Sequence, residues 1–380
     1  MIGLLTLNPI MYNYGGFLQE LALQDALIKM GYNIEIINYN PAEELNTFSA
    51  KRGIKYFTFD KFLAMLNPRK ENKMKECVAS EISVRHKSFD RYRKQELRLS
   101  EKIEYGDLHS DQLPYSIYVC GSDQIWNPDY NIPAFFLDFV EDKNRKVIYA
   151  ASFGKTTLTK REGKRYCELL DGLKYVSVRE ETAQALVEKI SRKKAEVVVD
   201  PTLLHTTEYW EEKAKSSNKE YKDYVFCYFL DLTREKISAA QRYASKLNCK
   251  IVMIPYLHNR EDELFGDIHD SNVAPNDFLK LIKDATAILT DSFHATVFSL
   301  VFNKKFWVFG RNAGSYNMNT RIDSLLKMYN AEERLIEPNN LGMINEPKVL
   351  YDDEAVIAAR KHSFDFLDNA LAYDRENEKI

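Results

Sequence analysis

Short apolar runs alternate with longer amphipathic stretches over most of the chain. Each run is a few residues long and rich in Val, Ile and Tyr, which is typical of a buried parallel strand. The stretches between the runs carry apolar residues three or four positions apart and predict helices with one buried face. In the first half, the predicted strands are residues 2–7, 33–39, 115–121, 146–153, 175–178 and 195–199.

The same alternation restarts in the second half of the chain. Strands are predicted at residues 224–230, 250–255, 286–290 and 306–309, and helices at 233–246, 275–283, 293–302 and 321–328. Strands that alternate with helices form parallel sheets. The pattern therefore predicts an α/β fold of two Rossmann-like domains, whose mostly parallel sheets face each other across a cleft.

The predicted domain boundaries follow from the places where the alternation stops. The N-terminal domain is residues 1–205, with a helical excursion at about 41–112, and the C-terminal domain is residues 221–352. A last helix at residues 353–372 is predicted to pack back on the first domain.

Part of the excursion is strongly basic. Residues 51–94 contain 13 Lys or Arg against 5 Asp or Glu, interleaved with aromatic and aliphatic side chains. One interpretation is an amphipathic element that contacts a membrane surface or an anionic polymer. The other, which is preferred, is an ordinary helical segment with a solvated basic face.

Composition narrows the class of protein. The 380 residues are 45% hydrophobic and 29% charged, as in ordinary globular proteins, and the net charge of −3 gives no reason to expect a nucleic acid partner. Five scattered cysteines without a CxxC pair indicate neither a zinc site nor a disulfide framework. No signal peptide and no apolar run of about 20 residues is visible, so a cytoplasmic location is expected.

The most informative stretch joins the predicted strand at residues 286–290 to the helix at 293–302. Asp291, Ser292 and His294 lie at this turn, on the edge of the sheet where open α/β proteins bind ligands. The helix start offers free backbone N–H groups to an anion, and a histidine there can exchange a proton near neutral pH. Alternatively, Asp291 or Ser292 only caps the helix and His294 packs in its first turn.

Two further turns carry candidate binding groups. Asn13-Tyr14-Gly15-Gly16 forms a glycine-bearing loop before a helix, which either lets a ligand approach the backbone or is needed only for a tight turn. Arg179 follows the strand at 175–178. It is either a bidentate fork for carboxylate or phosphate, or an ion-pair partner of Glu180 or Glu181.

Seven short motifs occur between residues 13 and 322. They are Asn13-Tyr14-Gly15-Gly16 with Leu18-Gln19 and Ala22-Leu23-Gln24, Gly121-Ser122-Asp123-Gln124-Ile125-Trp126-Asn127, Ala150-Ala151-Ser152-Phe153-Gly154, Ser177-Val178-Arg179-Glu180, Val199-Asp200-Pro201-Thr202, Thr290-Asp291-Ser292-Phe293-His294 and Asn319-Thr320-Arg321-Ile322. Taken together, and in this order, they resemble one family, the polysaccharide pyruvyl transferases, and the resemblance covers most of the chain. The departures are Ala295, where the family usually has glycine, and Lys305, where proline is common.

The resemblance implies a fold similar to the GT-B glycosyltransferases and phosphoenolpyruvate as the donor. The implied product is a cyclic pyruvate ketal on two hydroxyls of a sugar, in polysaccharide, exopolysaccharide or cell-wall glycan assembly. This chemistry needs a general acid for the enol-ether carbon and fixed positive charge for the donor's carboxylate and phosphate. His294 is predicted to be the acid and Arg179 the anion clamp. Lys304 or Arg311 would support the clamp.

Other residues of these motifs are predicted to bind the substrates. Asp123 and Asp200 would bind or deprotonate acceptor hydroxyls, and the helix that follows Asn13 would hold an anion or the sugar. No metal ion and no cofactor besides the donor substrate is expected, because arginine and helix termini can neutralise the donor and no metal-ligand spacing is visible. The remaining substrate-binding candidates are Gly15, Gly16, Ser122, Asp291 and Ser292.

Two other functions stay open, because a fold does not determine function. One is glycosyl transfer from a nucleotide-sugar donor, although the acidic candidates for a ribose contact, Asp323 and Glu332-Glu333, fall within or after a helix. The other is a non-catalytic glycan-binding or scaffolding protein. A lipid-linked acceptor would bring the protein to the inner face of the membrane and would give the basic segment at 51–94 a purpose.

Overall fold

The computed structural model describes residues 1–7, 12–39, 71–109, 113–130, 132–255, 265–311, 320–340 and 354–377. The part of the basic 51–94 segment before residue 71 lies outside these ranges, so its predicted contact with a membrane stays a prediction. Within the described ranges, no helix combines the length and the apolar character needed to cross a membrane.

A seven-stranded sheet forms the first domain. Its strands are β1 (Ile2–Leu5), β2 (Ile34–Tyr39), β3 (Leu99–Ile103), β4 (Ile117–Cys120), β5 (Lys146–Ala151), β6 (Tyr175–Val178) and β7 (Glu196–Val197). The strand order is β3-β2-β1-β4-β5-β6-β7, and all neighbours are parallel. The helices of this half are α1 (Tyr14–Lys29), α2 (Glu71–Glu96), α3 (Tyr105–Leu108), α4 (Lys160–Asp171) and α5 (Glu181–Ile190).

A six-stranded sheet forms the second domain. Its strands are β8 (Tyr224–Tyr228), β9 (Lys250–Met253), β10 (Ile268–His269), β11 (Ala287–Thr290), β12 (Phe306–Phe309) and β13 (Leu335–Ile336). The order is β10-β9-β8-β11-β12-β13, again with parallel neighbours. The remaining helices are α6 (Thr207–Lys215), α7 (Arg234–Lys246), α8 (Pro275–Asp284), α9 (Phe293–Val301), α10 (Thr320–Met328) and α11 (Glu354–Asn377). The predicted fold class, two α/β domains with parallel sheets, is confirmed.

Helix α11 returns from the second domain to the first. The Val199 amide donates to Ser363 Oγ at 3.0 Å, and Arg360 Nε donates to the Leu203 carbonyl at 2.6 Å. The last described helix therefore covers the segment that follows β7, and the first domain is built from both ends of the chain.

Besides the two-residue strands β10 and β13, which the pattern does not predict, two longer segments differ from it. Leu99–Ile103 lies in the predicted helical excursion but forms the edge strand β3, paired with β2. Its sequence is mostly polar because an edge strand has one neighbour and leaves much of its surface in water. Thr207–Lys215 lies between the two predicted domains, 1–205 and 221–352, but forms helix α6, whose Trp210 and Ala214 are buried.

Helix α1 lies between the two domains and is buried on nearly every side. Twelve of its 16 residues are buried, as expected for a helix that is covered from more than one direction. Tyr14 stacks on Phe278 of α8 with ring centroids 4.6 Å apart, and its hydroxyl donates to the Val273 carbonyl at 3.1 Å. The apolar core around α1 includes side chains from both sheets, such as Leu4 and Ile288. The packing of α1 thus sets how the domains meet.

Gly15 marks the closest approach between α1 and α9. A Cβ atom on Gly15 would collide with the imidazole of His294, whereas a Cβ on Gly16 would meet only Asn13, at 3.8 Å. Both glycines lie within α1, so a tight turn is not what requires them. Glycine is required at position 15 because the imidazole occupies the space of a side chain.

Asp291 stabilises the turn between β8 and α7 by hydrogen bonds. Its fully buried carboxylate accepts from the Leu230 amide at 2.7 Å, the Asp231 amide at 3.0 Å and Lys236 Nζ at 2.7 Å. The charge of Lys236 is thereby compensated in a place that excludes water. Asp291 therefore stabilises the second domain from within.

Gly15→Ala is expected to lower the free energy of unfolding by about 1–3 kcal/mol, because the added methyl group overpacks a buried contact. Gly16→Ala, its matched control, is expected to leave stability unchanged or to raise it by about 0.5 kcal/mol, since alanine is the better helix former. Thermal unfolding of the two variants measures the difference. Equal melting temperatures would contradict the close approach of α1 to α9.

Asp291→Asn is expected to lower the free energy of unfolding by about 3–5 kcal/mol, because it removes the buried carboxylate at 2.7 Å from Lys236 Nζ and leaves only the half-exposed Asp231 carboxylate at 3.6 Å. Asp284→Asn is the control. It removes one partner of a partly exposed pair with Lys280 and is expected to cost less than about 1 kcal/mol. Urea denaturation compares the two, and a similar cost for both would show that the buried pair adds nothing.

Candidate active site at the domain interface

Arg179 lies at the carboxyl edge of the first sheet, directly after β6. Its Nη1 donates to Asp200 Oδ2 at 2.6 Å, and its Nη2 donates to Asp123 Oδ1 at 3.0 Å. The two aspartates follow β7 and β4, so three strand ends meet at one guanidinium. Only 3% of the Arg179 side chain is exposed, which strengthens these charged hydrogen bonds relative to water.

His294 brings the second domain to the same place. It lies in the first turn of α9, after β11, and is largely buried. Its Nε2 is 3.6 Å from Asp200 Oδ2, which is too far for a hydrogen bond, and it has no other partner among the described residues. Buried polar atoms normally have a partner, so this nitrogen is available to a bound molecule.

Arg321 supplies a second guanidinium from α10. Its Nη1 lies 3.4 Å from Asp123 Oδ1, the oxygen that Arg179 also reaches. With its amide oxygen turned toward the arginine, Gln124 accepts from Arg321 Nη1 and Nη2 at 3.0 and 2.7 Å. The Phe293 ring lies 4.5 Å from the guanidinium carbon of Arg179 and 5.7 Å from that of Arg321. One carboxylate and one aromatic ring therefore hold two positive groups together.

The pKa values of the cluster reflect burial and the opposing charges. Burial alone would raise the pKa of both aspartates. At Asp123, the positive charges of Arg179, His294 and Arg321 together outweigh burial. At Asp200, His294 and Arg179 do so together with the hydrogen bond from Thr202, so each aspartate pKa is held below its usual range. Burial and then repulsion from Arg179 lower the pKa of Arg321 to about 10. Both aspartates are therefore negatively charged at neutral pH. Of the two arginines, Arg321 has the less stable positive charge.

Glu180 is the third carboxyl group at this point. Its Oε1 accepts from Ser152 Oγ at 2.6 Å, while its Oε2 is 3.8 Å from Arg179 Nε and has no hydrogen-bond partner in the described chain. Burial raises its pKa. The close partners of Arg179 are therefore the two aspartates and not Glu180. In the part of the chain that the structure describes, no three His, Cys, Asp or Glu side chains are arranged to hold a metal ion.

Asn13 and Ser292 cap the two helices that meet at the site. Asn13 Oδ1 accepts from the Gly16 amide at 3.0 Å, and Ser292 Oγ accepts from the Ala295 amide at 3.4 Å. Each cap satisfies one of the free N–H groups of its helix start. The capping alternative considered for Ser292 thus matches its position.

Ser122 joins α1 to the loop that carries Asp123. Both its amide and its hydroxyl donate to Gln19 Oε1, at 3.0 and 2.8 Å. Since Gly15 of the same helix lies against His294, α1 touches both the acidic and the imidazole side of the site. These motif residues position their neighbours through hydrogen bonds inside the protein.

Two other predicted residues differ in their placement. Arg311 follows β12 on the carboxyl edge of the second sheet. Its positive charge helps to lower the pKa of Arg321, after the larger effects of burial and of Arg179. Lys304 precedes β12, so it lies at the opposite edge of the sheet, where its Nζ donates to the Lys283 carbonyl at 2.7 Å. The structure brings Arg311 toward the cluster and does not bring Lys304 there. The carboxylate of Asp291 is likewise turned into the second domain.

Sequence reasoning does not single out Arg321, Gln124 or Phe293 as site residues. All three belong to motifs that carry the family resemblance, and Gln124 and Phe293 directly adjoin predicted residues in the chain. The sequence does contain one signal for Arg321: it is a positively charged residue at the start of a predicted helix that follows an apolar strand. Which way these side chains turn depends on the meeting of the two domains, which no local pattern encodes.

A comparison with solved structures finds proteins that match nearly the whole chain. UDP-GlcNAc 2-epimerase of Methanocaldococcus jannaschii, in complex with UDP-GlcNAc and UDP, is 13% identical with a TM-score of 0.49, over 96% of this chain and 99% of that chain. UDP-N-acetylglucosamine 2-epimerase of Rickettsia bellii is 13% identical with a TM-score of 0.45, over 98% and 97%. UGT89C1 of Arabidopsis thaliana, complexed with UDP, is 12% identical with a TM-score of 0.45, over 98% of each chain. At this identity the similarity concerns the backbone alone.

A search of curated protein sequences finds no match. A family model described as polysaccharide pyruvyl transferase matches residues 13–312. This range is most of the chain and contains every predicted site residue from Asn13 to Arg311, while Arg321 lies beyond it. The chain belongs to the polysaccharide pyruvyl transferase family and is a transferase.

Proposed function

We propose that this transferase moves pyruvate from phosphoenolpyruvate to two hydroxyls of a sugar and forms a cyclic ketal. The observation that carries the proposal is the meeting of Arg179, Arg321 and His294 at one point of the domain interface. Two fixed cations and a proton carrier are the groups that this donor requires.

The donor carries a carboxylate and a phosphate, and each needs a centre of positive charge. Asp123 and Asp200 hold the Arg179 fork in place, and Asp123 also holds Arg321, so both guanidiniums are pre-oriented. A planar guanidinium matches carboxylate and phosphate oxygens in a bidentate way. The donor would exchange with part of these ion pairs. Arg321 would gain most, because its positive charge is destabilised by burial.

His294 is the proposed general acid. It gives a proton to the methylene carbon of the donor, whose π electron pair forms the new C–H bond and leaves an oxocarbenium ion at the adjacent carbon. One sugar hydroxyl adds to that carbon, the C–O bond to phosphate breaks, and the second hydroxyl closes the ketal. Of the two hydroxyl protons, one returns to His294 and the other leaves with phosphate. The negative charge of Asp200, 3.6 Å from His294 Nε2, would attract the returning proton to the imidazole.

The acceptor is proposed to be a unit of a polysaccharide, an exopolysaccharide or a cell-wall glycan. A lipid-linked acceptor would place the reaction at the inner face of the membrane, where the basic segment at 51–94 would contact anionic lipids. Flotation with anionic liposomes tests this contact, and protein that stays at the bottom of the gradient would remove it.

Phosphoenolpyruvate is expected to stabilise the protein by about 2.7 kcal/mol when it is present at about 100 times its Kd. Arg179→Lys and Arg321→Lys keep the charge but lose the planar fork, and each is expected to weaken donor binding at least about tenfold. Lys304→Met, which changes a cation at the opposite edge of the sheet, is the matched control and should keep the full shift. Thermal-shift titrations measure all four proteins.

Two results of this titration would contradict the donor proposal. One is an equal loss of the shift in the Lys304 control, which would show a non-specific charge effect. The other is stabilisation by UDP-GlcNAc and not by phosphoenolpyruvate, which would favour glycosyl transfer from a nucleotide sugar.

His294→Asn is expected to lower the rate of phosphate release from phosphoenolpyruvate by about 10²–10⁴, the usual contribution of a general acid. Donor binding is expected to persist, because Arg179 and Arg321 are unchanged. Phosphate release in the presence of cell-wall glycan fragments measures the rate, and the thermal shift measures binding. A variant with the wild-type rate would remove His294 from the proton transfer.

A further inference from the structure

A cleft lies between α2 and the start of α8, away from the arginine cluster. Its volume is about 440 Å³, within the range of about 300–1,000 Å³ that is usual for ligand sites. Seven of its twelve lining residues carry neutral hydroxyls or amides, among them Tyr92, Gln95, Asn218 and Asn276. Four others are charged: Arg91, Glu96, Lys219 and Asp277.

Both domains contribute to the walls of this cleft. Ser88 on α2 donates through Oγ to Asn272 Oδ1 at 2.6 Å, and Arg85 Nη2 donates to the Pro255 carbonyl at 2.7 Å. Helix α2 lies in the chain between β2 and β3 of the first domain, whereas Asn272 and Pro255 belong to the second domain. A ligand in the cleft would therefore contact the two domains at once.

Most charged groups around the cleft are already paired. Lys219 Nζ is 2.6 Å from Asp270 Oδ2, and Glu96 Oε2 is 2.6 Å from Lys213 Nζ. Asp277, also in the lining, accepts through Oδ2 from the backbone amide at the start of α8 at 2.9 Å. Glu96 and Lys219 are thus compensated by ion pairs, Asp277 is held by neutral donors, and Arg91 is exposed. The other hydrogen-bonding groups of the lining are neutral.

Two buried polar atoms of the lining have no partner among the described residues. They are Asn276 Oδ1 and the Tyr92 hydroxyl, on residues that are 8% and 5% exposed. The other end of the Asn276 amide donates to Ser216 Oγ at 2.9 Å. Leaving a buried acceptor unpaired is unfavourable, so a ligand hydroxyl that reaches these atoms would gain free energy.

The rim of the cleft offers amides of the same chemical character. Gln95, Asn218 and Asn272 are exposed, and no hydrogen bond within the described chain engages the side chains of Gln95 and Asn218. A side-chain amide both donates and accepts, which is the pattern that matches a sugar hydroxyl. The Tyr92 ring adds apolar surface of the kind against which sugar rings pack.

We propose that this cleft binds a neutral sugar unit of a glycan. The assignment of that glycan as the acceptor rests on the proposed function, whereas its chemical class rests on the cleft alone. Tyr14 links the two places, because its hydroxyl donates to Val273, between Asn272 and the start of α8, and the next residue, Gly15, touches His294. A long acceptor held here would be anchored beside the helix that positions the imidazole.

Retention of the full chain on an array of immobilised neutral and acidic glycans tests this proposal. Wild type is expected to be retained by neutral glycans. The exposed double variant Gln95→Ala/Asn218→Ala is expected to weaken retention at least about tenfold, since hydrogen bonds to several hydroxyls are lost. Lys94→Ala changes an exposed residue of the same helix outside the lining and is expected to leave retention unchanged.

Asn276→Leu tests the buried acceptor separately, with its circular dichroism compared to wild type to confirm folding. It is expected to reduce retention about as much as the exposed double variant. Since that double variant alters only surface side chains, a folding failure of Asn276→Leu would leave the test intact.

Three results would overturn the cleft proposal. They are no retention of folded wild type by any neutral glycan, retention by acidic glycans only, and retention that Arg179→Lys abolishes while the exposed double variant keeps it. The thermal shift with phosphoenolpyruvate separates a failure of the cleft proposal from a failure of the proposed function. A donor shift without glycan retention refutes the cleft alone, and glycan retention without a donor shift refutes the donor alone.

Discussion

The burial of α1 between two sheets is the constraint on which the rest of the structure depends. A helix covered on nearly every side fixes its neighbours as firmly as they fix it, because a well-packed core does not deform continuously. Tyr14 fits against the second domain and Gly15 admits the imidazole of His294, so the first turn of one helix sets the distance between the two halves of the site. The domains each have a sheet, but they share the core that surrounds this helix.

Charge balance explains why the arginine cluster is stable although its side chains are buried. Each buried guanidinium has a carboxylate at hydrogen-bonding distance or close to it, and Asp123 serves both of them. Compensation of this kind makes burial of charge tolerable, whereas removal of one partner is costly. The same arrangement suits the exchange of an internal carboxylate for an external carboxylate or phosphate, because the geometry of the fork is unchanged by the exchange.

Patterns in the sequence predict the central strands, because β1, β4, β8 and β11 are buried on both faces and read as continuous apolar runs. They do not predict β3, which is a polar edge strand, or the two-residue strands β10 and β13. For the site, strand ends place Arg179 at the carboxyl edge of the first sheet and His294 at that of the second. The same logic argues against Lys304, since a residue between a helix and the following parallel strand lies at the opposite edge of the sheet. It also cannot reveal Arg321, whose position depends on contacts between domains.

The burial of the arginine cluster also has a consequence for speed. The side chains of Arg179, Asp200 and His294 are 3%, 1% and 8% exposed, so the proposed donor would reach them only when the surrounding elements separate. Under the proposed function, such opening would occur once to load and once to unload in every catalytic cycle, and motions of this kind limit turnover in many enzymes. The interface that stabilises the protein would then also restrain its catalytic rate, and substitutions that loosen α1 would exchange durability for throughput.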